Sequence, residues 1–320
     1  MKSGIKQIIK ISIMVGILYY LYQKGLLDFT KVSKVISDPA ILIFGILCML
    51  STALISVYRW RLLLAGQNIQ IPFVQALKLT FIGMFFNTAL PGAVSGDVVK
   101  GYYIVKQQPD GKGKSKAFAT LLFDRIFGVS ALSFIAFMAM LLNFSTMKES
   151  TALSTLVGFI SILFAGVVLF YAFILLKTPL SKKIHQILEK MPAGSILGKV
   201  FEAVKCYEDH PAIIFKGLLV SMVIHSIIIG FITLLASRLG GFDTVSLSNF
   251  FLLTPLGLLV TAVPVAPAGL GTGHAAFYAL YELVGAVGGA DLFTAFVAFQ
   301  ILVNLSGGIF YVRYKQTAHI

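Results

Sequence analysis

Ionisable side chains within long apolar segments are the residues of this sequence whose types and spacing suit chemistry. Asp124 and Arg125 lie inside the apolar block 117–142, while Asp97 and Lys100 follow a cluster of proline and glycine. A charge at membrane depth is costly, so such residues mark a ligand pathway or an ion pair. Guanidinium matches phosphate through paired hydrogen bonds, which favours an anion-binding cavity around Arg125 and Lys100. The alternative is a structural network in which Asp97 pairs with Arg125 and clamps the loop to the helix.

Four further polar residues sit in or beside predicted membrane helices. His274 follows a glycine-rich run and is expected to begin a half-helix, whose exposed N–H groups favour anions. The alternative for a single histidine is a structural role. Gln300 and Asn304 are four residues apart, so they form one polar helix face that is expected to look into the bundle. His225 lies among Ile and Val and is expected to make an interhelical hydrogen bond.

Two apolar stretches, 73–90 and 250–266, run into clusters of proline and glycine that break a helix at membrane depth. The backbone positions concerned are Pro91, Gly92 and Gly96 in the first cluster, and Pro267, Gly269, Gly271 and Gly273 in the second. Irregular backbone is tolerated at this depth only where it is buried in protein or lines a watery cavity. We therefore expect two re-entrant hairpins that meet at a polar cavity. The alternative is eight ordinary helices with proline kinks.

The composition identifies the surroundings of these elements. Of 320 residues, 58% are hydrophobic and 12% are charged, and the mean hydropathy is +0.90. Six apolar blocks match the roughly 20 helical residues that cross a bilayer. They fall at 8–22, 41–58, 117–142, 153–176, 213–236 and 292–312. The sequence thus predicts an all-α polytopic membrane protein with six full spans and two re-entrant hairpins.

The distribution of basic residues predicts the orientation of the spans. The net charge is +13, and lysine and arginine are dense in 97–116 and 177–211 but sparse in 237–248 and 282–291. Because basic loops remain in the cytoplasm, the first two segments and both termini are expected inside, and the last two segments outside. The expected location is a bacterial-type cytoplasmic membrane. Since topology accounts for the positive charge, no nucleic-acid partner is expected.

With this orientation, the order span, span, hairpin, span occurs twice in a single membrane domain. The first repeat covers about 1–145 and the second about 150–320, in opposite orientations. Such inverted repeats are typical of secondary transporters, which bind substrate at broken helices near the midplane. The basic linker 177–211 has spaced apolar residues, so it is expected to form amphipathic helices on the inner leaflet.

Other classes of chemistry lack the residues they require. The two cysteines, Cys48 and Cys206, cannot build a disulfide framework or a zinc site, and neither a metal nor a cofactor is expected. The run 269–274 lacks the third glycine of a dinucleotide fingerprint, and Gln108 stands where a phosphate loop ending at 113–115 needs glycine. Any transport is therefore expected to proceed without an ATP site in this chain.

Three motifs, in this order along the chain, carry a family resemblance. They are Ala-Leu-Pro-Gly-Ala-Val-Ser-Gly-Asp at 89–97, Phe-Asp-Arg-Ile-Phe-Gly at 123–128 and Pro-Ala-Gly-Leu-Gly at 267–271. Together they resemble the transmembrane, flippase-like domain of bacterial lysylphosphatidylglycerol synthases and its stand-alone relatives, over nearly the whole chain. The resemblance implies that the protein moves a lipid between leaflets. The family's motif positions fall here on Pro91, Gly92, Gly96, Asp97, Asp124, Arg125, Gly128, Gly269, Leu270 and Gly271.

The sequence also departs from this family in two ways. The soluble aminoacyl-transfer domain of the fused members has no counterpart, so the chain is not expected to make its lipid, and a separate lipid-synthesising enzyme is a candidate partner. The family often has an acidic residue where this sequence has His274. Because histidine cannot replace a carboxylate as the counter-ion of a lysyl headgroup, an anionic phospholipid or a polyprenyl phosphate is the expected substrate.

The favoured hypothesis is a lipid translocase, with no enzymatic activity of its own. One alternative is a membrane-embedded enzyme that acts on a phosphoryl or glycosyl lipid, with Asp97, Asp124 or His274 as acid or base. Another is a non-catalytic partner subunit.

Overall fold

The computed structural model describes residues 12, 15–90, 95–106, 113–147, 151–175, 187, 194–263 and 267–317. These residues are nearly all helical and include no strand, which confirms the predicted all-α polytopic class. Five helices are long and apolar enough to cross a membrane. They are Pro39–Gly66, Lys114–Leu142, Leu153–Leu175, Pro211–Leu239 and Gly289–Tyr314. The predicted span 8–22 and the linker 177–211 lie partly outside the described residues, although 15–23 and 194–205 are helical.

Twelve helices are labelled here in chain order. They are α1 (Phe29–Ser37), α2 (Pro39–Gly66), α3 (Phe73–Ala89), α4 (Ser95–Lys106), α5 (Lys114–Leu142), α6 (Thr151–Leu175), α7 (Gly194–Lys205), α8 (Pro211–Leu239), α9 (Leu247–Ala262), α10 (Thr272–Glu282), α11 (Gly289–Leu305) and α12 (Gly307–Thr317). Single helical turns at Phe144–Met147, Cys206–Asp209 and Pro267–Gly269 connect some of them.

Two of the predicted spans differ in extent from the observed helices. Helix α2 continues to Gly66 where the sequence predicted an end near Tyr58, because Arg59 and Arg61 extend the helix beyond its apolar part. The last predicted span is divided at Ser306, so that α11 and α12 are separate helices.

The first hairpin consists of α3 and α4, which run antiparallel. The two helices approach so closely that a Cβ on Gly96 would lie 1.9 Å from the carbonyl oxygen of Gly83. Their tip is cross-linked by the Gly96 N–H, which donates to Asn87 Oδ1 over 2.8 Å, and by Ser95 Oγ, which donates to the Phe86 carbonyl over 2.7 Å. Residues 91–94, which include Pro91 and Gly92, lie outside the described residues.

The second hairpin consists of α9 and α10 and is built in the same way. A Cβ on Gly257 would lie 2.5 Å from the ring of Phe277, and the hydroxyls of Thr254 and Tyr281 share a hydrogen bond of 2.7 Å. The arms of the two hairpins have 17, 12, 16 and 11 residues. Each is shorter than the roughly 20 residues of a typical crossing. Two pairs of short helices therefore lie where the sequence predicted broken-helix hairpins, and their re-entry into the membrane stays a prediction.

Each hairpin packs on the long helix that follows the other hairpin. Helix α9 packs on α5, while α3 packs on α11 and α12. The long helices α2 and α8 are antiparallel, with Gly45 against Phe231 near one end and Gly66 against Ile213 near the other. This exchange places the tips of both hairpins in the centre of the bundle. The inverted repeat with bounds near 145 and 150 stays a prediction.

Basic residues are distributed unequally between the two ends of the bundle. One end, here called the basic end, is marked by the hydrogen bond from Gln67 to the Ala203 carbonyl, and the opposite end by the hydrogen bond from Ser248 to Asn143. Helix directions place at the basic end Arg61, Lys78, Lys106, Lys114, Lys116, Lys205, Lys216 and Arg313 among the described residues. The opposite end has Lys24, Lys31, Lys34 and Arg238.

Candidate functional site

A cavity of about 610 Å³ lies where the two hairpin tips meet the long helices. Helices α2, α3, α5, α8, α9 and α11 line it, together with the turn at Ala268 and Gly269. Its polar lining consists of Thr52, Ser56, Asn87, Thr88, Arg125, His225, Thr261, Gln300 and Asn304. Arg125 is the one permanently charged side chain among the described residues that line this central cavity, and no carboxylate is among them.

Arg125 lies roughly 16 Å along α5 from Lys114, at 1.5 Å per residue. Its Nε donates to Asp97 Oδ2 over 2.5 Å, so the ion pair predicted from the sequence is confirmed. The Arg125 side chain is nevertheless 36% exposed, whereas that of Asp97 is 15% exposed. Pairing with Asp97 therefore orients the guanidinium and leaves part of its surface open to the cavity.

Asp97 owes its position to the first hairpin. It lies in the first turn of α4, directly after Gly96, whose close contact with α3 fixes the start of the helix. An acidic residue in the first turn also interacts favourably with the helix dipole. Asp97 thus links the tip of the hairpin to α5, as the structural interpretation of this pair required.

Asp124 points to a different partner from its neighbour Arg125. Arg59 Nε donates to Asp124 Oδ1 over 2.8 Å, and Arg59 Nη1 donates to Ser221 Oγ over 2.8 Å. Adjacent helical residues point about 100° apart, since 3.6 residues complete a turn. Asp124 therefore serves a buried ion pair outside the lining of the central cavity. Sequence reasoning missed Arg59 because it set the end of α2 at Tyr58.

Lys100 is also drawn into the protein interior. Its side chain is 5% exposed, and its ammonium lies 4.1 Å from the centre of the Trp60 ring. It is near enough to attract Asp124 electrostatically, but it does not line the central cavity. In this arrangement the Lys100 side chain is part of the buried network, and its direct contact with a ligand stays a prediction.

Among the described side chains of this network, positive charges outnumber negative ones. Arg59, Lys100 and Arg125 supply three positive charges, while Asp97 and Asp124 supply two negative charges. Counted as ionised, these five side chains carry one excess positive charge at membrane depth. Uncompensated charge there is costly, so an anion in the neighbouring cavity would stabilise the arrangement.

His274 is held within the second hairpin. It is 2% exposed, its Nδ1 accepts a hydrogen bond from the Gly271 N–H over 3.2 Å, and its ring meets that of Phe293 edge to face. His274 does not line the central cavity. This placement agrees with a structural role for His274, because the imidazole caps the start of α10.

The glycines of the second tip are needed for its backbone. Gly269 and Gly271 have φ of +70° and +81°, a region that favours glycine, and Ala268 has φ of +51°. A Cβ on Gly273 would lie 2.2 Å from the ring of Phe293. Pro267 begins the turn, and its side chain is outside the described set. These conformations let Ala268 and Gly269 turn at the wall of the cavity.

Gln300 and Asn304 both line the central cavity, on one face of α11. Asn304 Nδ2 donates to Thr88 Oγ1 over 2.8 Å and so joins α11 to the first hairpin. His225 lines the cavity from α8, and its buried Nδ1 has no hydrogen-bond partner among the described residues. The interhelical hydrogen bond expected for His225 is therefore not made by this nitrogen, while the Nε2 side of the ring faces Gly128 on α5.

Metal ligands do not cluster in the described part of the chain. No group of three or more His, Cys, Asp or Glu side chains is placed there to hold an ion, and Cys48 and Cys206 are both free thiols.

Comparison with known proteins matches this chain to one family. The sequence profile described as the lysylphosphatidylglycerol synthase TM region matches residues 7–307. A UPF0104 membrane protein of Pyrococcus horikoshii is 31% identical over 134 residues, which are 42% of this chain and 39% of that relative. The chain thus matches about two fifths of the length of this curated relative. Because the profile covers nearly the whole chain, including the three motifs, the protein belongs to the family of lysylphosphatidylglycerol synthase transmembrane regions.

Proposed function

We propose that this protein is a translocase that moves an anionic phospholipid or a lipid-linked phosphate between the leaflets of the membrane. The observation that carries the proposal is the placement of Arg125, whose side chain is partly exposed to a cavity between two broken-helix hairpins. Broken helices around a central cavity are the usual construction of transporter sites. A cavity at this depth shields a polar headgroup while its hydrocarbon tails remain in lipid.

The electrostatics support an anionic headgroup. The buried network around Arg125 has one excess positive charge, which matches the single negative charge of a phosphodiester. The rest of the polar lining is neutral and offers hydroxyl and amide groups, among them Thr52, Gln300 and Asn304. An aminoacylated headgroup requires a carboxylate as counter-ion, and the described lining contains none. This argues for glycerol-phosphate or sugar-phosphate headgroups over cationic ones.

The membrane potential supplies a driving force that needs no nucleotide. We take the basic end as cytoplasmic, because lysine and arginine favour that side. An anionic headgroup that moves outward along an interior-negative potential then gains about 2.3 kcal/mol per 100 mV. The translocase is accordingly proposed to act without an ATP site, in the cytoplasmic membrane.

Reconstitution tests the proposal directly. Liposomes that contain the purified protein are loaded with phosphatidylglycerol carrying a fluorophore on one acyl chain, and dithionite reports how much of the probe reaches the outer leaflet. Faster exchange than in protein-free liposomes, with greater loss in Arg125→Ala than in Arg125→Lys, is the expected result. Mass spectrometry of the recovered probe distinguishes the enzyme hypothesis, which requires a changed lipid. Exchange at the protein-free rate would contradict the proposal.

A further inference from the structure

A second, almost entirely apolar groove lies between α5 and α6. It has a volume of about 460 Å³ and runs for roughly 12 Å along α6 at 1.5 Å per residue. Its lining consists of Arg125, Ile126, Val129, Ser130, Ile162, Leu163, Gly166, Val167 and Phe170. The hydroxyl of Ser130 shares a hydrogen bond with Tyr171, so it does not make the groove polar. Among the described residues that line the groove, Arg125 is thus the one charged group on an otherwise hydrocarbon surface.

The groove and the central cavity meet at the same residues. Arg125 and Val129 line both of them. The guanidinium therefore stands at the junction of a polar space and an apolar one, with 36% of its side chain exposed. This combination matches an amphiphile, since its phosphate can lie at Arg125 while its tail lies in the groove.

The position of α6 makes the groove accessible from the side. Only 17% of the 18-residue apolar stretch of this helix is buried, which is the smallest share among the five long helices. Ile162, which lines the groove, is 75% exposed, and Leu169 on the same helix is 69% exposed. Within the described residues α6 packs chiefly on α5, so the groove opens laterally to where lipid tails surround the protein.

We propose that the groove between α5 and α6 binds one acyl chain of a phospholipid whose phosphate is held by Arg125, and that lipid enters the central cavity sideways at this point. The inference rests on the proposed function for the presence of a lipid substrate. It adds the tail-binding site, the route of access and the role of α6.

Two glycines on α6 provide a matched pair of test variants. A Cβ at Gly166 or at Gly158 would meet nothing within 4 Å, so both positions have space where a side chain begins. Gly166 lines the groove, whereas Gly158 does not. A phenylalanine at 166 points back toward the N-terminus of its helix and so fills the groove toward Ile162. Gly166→Phe should block the tail site, and Gly158→Phe controls for the bulk and helix propensity of the added ring.

The experiment uses the full chain in nanodiscs with photoactivatable lipids. Phosphatidylglycerol and phosphatidylcholine each carry a diazirine on one acyl chain, and labelled peptides are mapped after irradiation. Both lipids have a phosphate that can accept from Arg125, but phosphatidylcholine also carries a quaternary ammonium that the positive network disfavours. We therefore expect phosphatidylglycerol to label 126–130 and 162–170 in preference to phosphatidylcholine, by about tenfold. Gly166→Phe should remove this preference in labelling while Gly158→Phe retains it, and Arg125→Ala should make the two lipids equal.

Several results would overturn the tail site. These are equal labelling of the wild type by both lipids, labelling unchanged by Gly166→Phe, or protection of α6 by a second copy of the chain. If exchange in liposomes occurs and Gly166→Phe does not slow it, the groove assignment fails while the translocase stands. If the groove is labelled in an Arg125-dependent way but no exchange occurs, the translocase fails while the lipid site stands.

Discussion

Replacement of Arg59 and of Arg125 should have opposite consequences for stability and for lipid binding. Both arginines pair with an aspartate, but Arg59 is 7% exposed and bonded to Asp124 and Ser221, whereas the Arg125 side chain is 36% exposed and lines the central cavity. The first contact is therefore structural, and the second leaves room for a ligand.

The structure allows the size of each effect to be estimated. Removal of one partner from a buried pair costs about 3–5 kcal/mol, and because Lys100 also attracts Asp124, we expect Arg59→Met to cost about 3 kcal/mol. The pair of Arg125 is only partly buried, so its loss should cost less than that of Arg59. We expect about 1–2 kcal/mol for Arg125→Ala, since Asp97 is only 15% exposed and loses this cation.

Lipid binding reverses this order. A ligand at roughly a hundred times its Kd stabilises a protein by about 2.7 kcal/mol. Phosphatidylglycerol should therefore stabilise the wild type most. Arg59→Met keeps Arg125 but loses the excess positive charge of the network, so it should gain less than the wild type and more than Arg125→Ala. Arg125→Lys keeps the charge but loses the planar fork, so it should gain less, and Arg125→Ala should gain nothing beyond the effect of phosphatidylcholine.

Thermal unfolding in detergent, with added phosphatidylglycerol or phosphatidylcholine, measures both effects. The double replacement Arg59→Met with Asp124→Leu serves as a control, since removing both charges should recover most of the lost stability. If the wild type, Arg125→Lys and Arg125→Ala all gain equally from phosphatidylglycerol, Arg125 does not bind the headgroup. If Arg59→Met is as stable as the wild type, the pair of Arg59 and Asp124 does not stabilise the fold.

Three further predictions concern packing and orientation. Gly96→Ala should destabilise the protein by about 3 kcal/mol in thermal unfolding, because the new Cβ meets a backbone carbonyl at 1.9 Å. Gly158→Ala, where nothing lies within 4 Å, should raise stability by about 0.5–1 kcal/mol, and a loss there equal to that of Gly96→Ala would contradict the packing argument. His225→Leu should keep or increase stability, since the buried Nδ1 has no partner; a loss above about 2 kcal/mol would reveal a bond that the imidazole makes. In a variant without the native cysteines, Asp243→Cys should react with an impermeant maleimide added outside right-side-out vesicles, whereas Lys112→Cys should not; labelling at 112 would refute the orientation.

The sequence by itself determined the class of the protein and the plan of its membrane part. A hydrocarbon core admits only helices of sufficient length, so apolar blocks such as 153–176 could be recognised without a structure. The clusters that contain Gly96 and Gly269 likewise indicated where the backbone breaks. The pair of Asp97 and Arg125 was predictable because the chain offers few charges at that depth, and each requires a partner nearby.

Only the tertiary structure decided which polar residues line the cavity and which support it. Arg59 reaches Asp124 across 65 positions of sequence, and Lys100 turns to the face of Trp60, because the close packing of α2, α4 and α5 brings them together. Sequence reasoning placed Lys100 and His274 among the ligand contacts, since residue type and depth alone give no side-chain direction. Helix rotation fixes that direction. It is set by contacts such as Gly83 against Gly96, where the surfaces of α3 and α4 fit together.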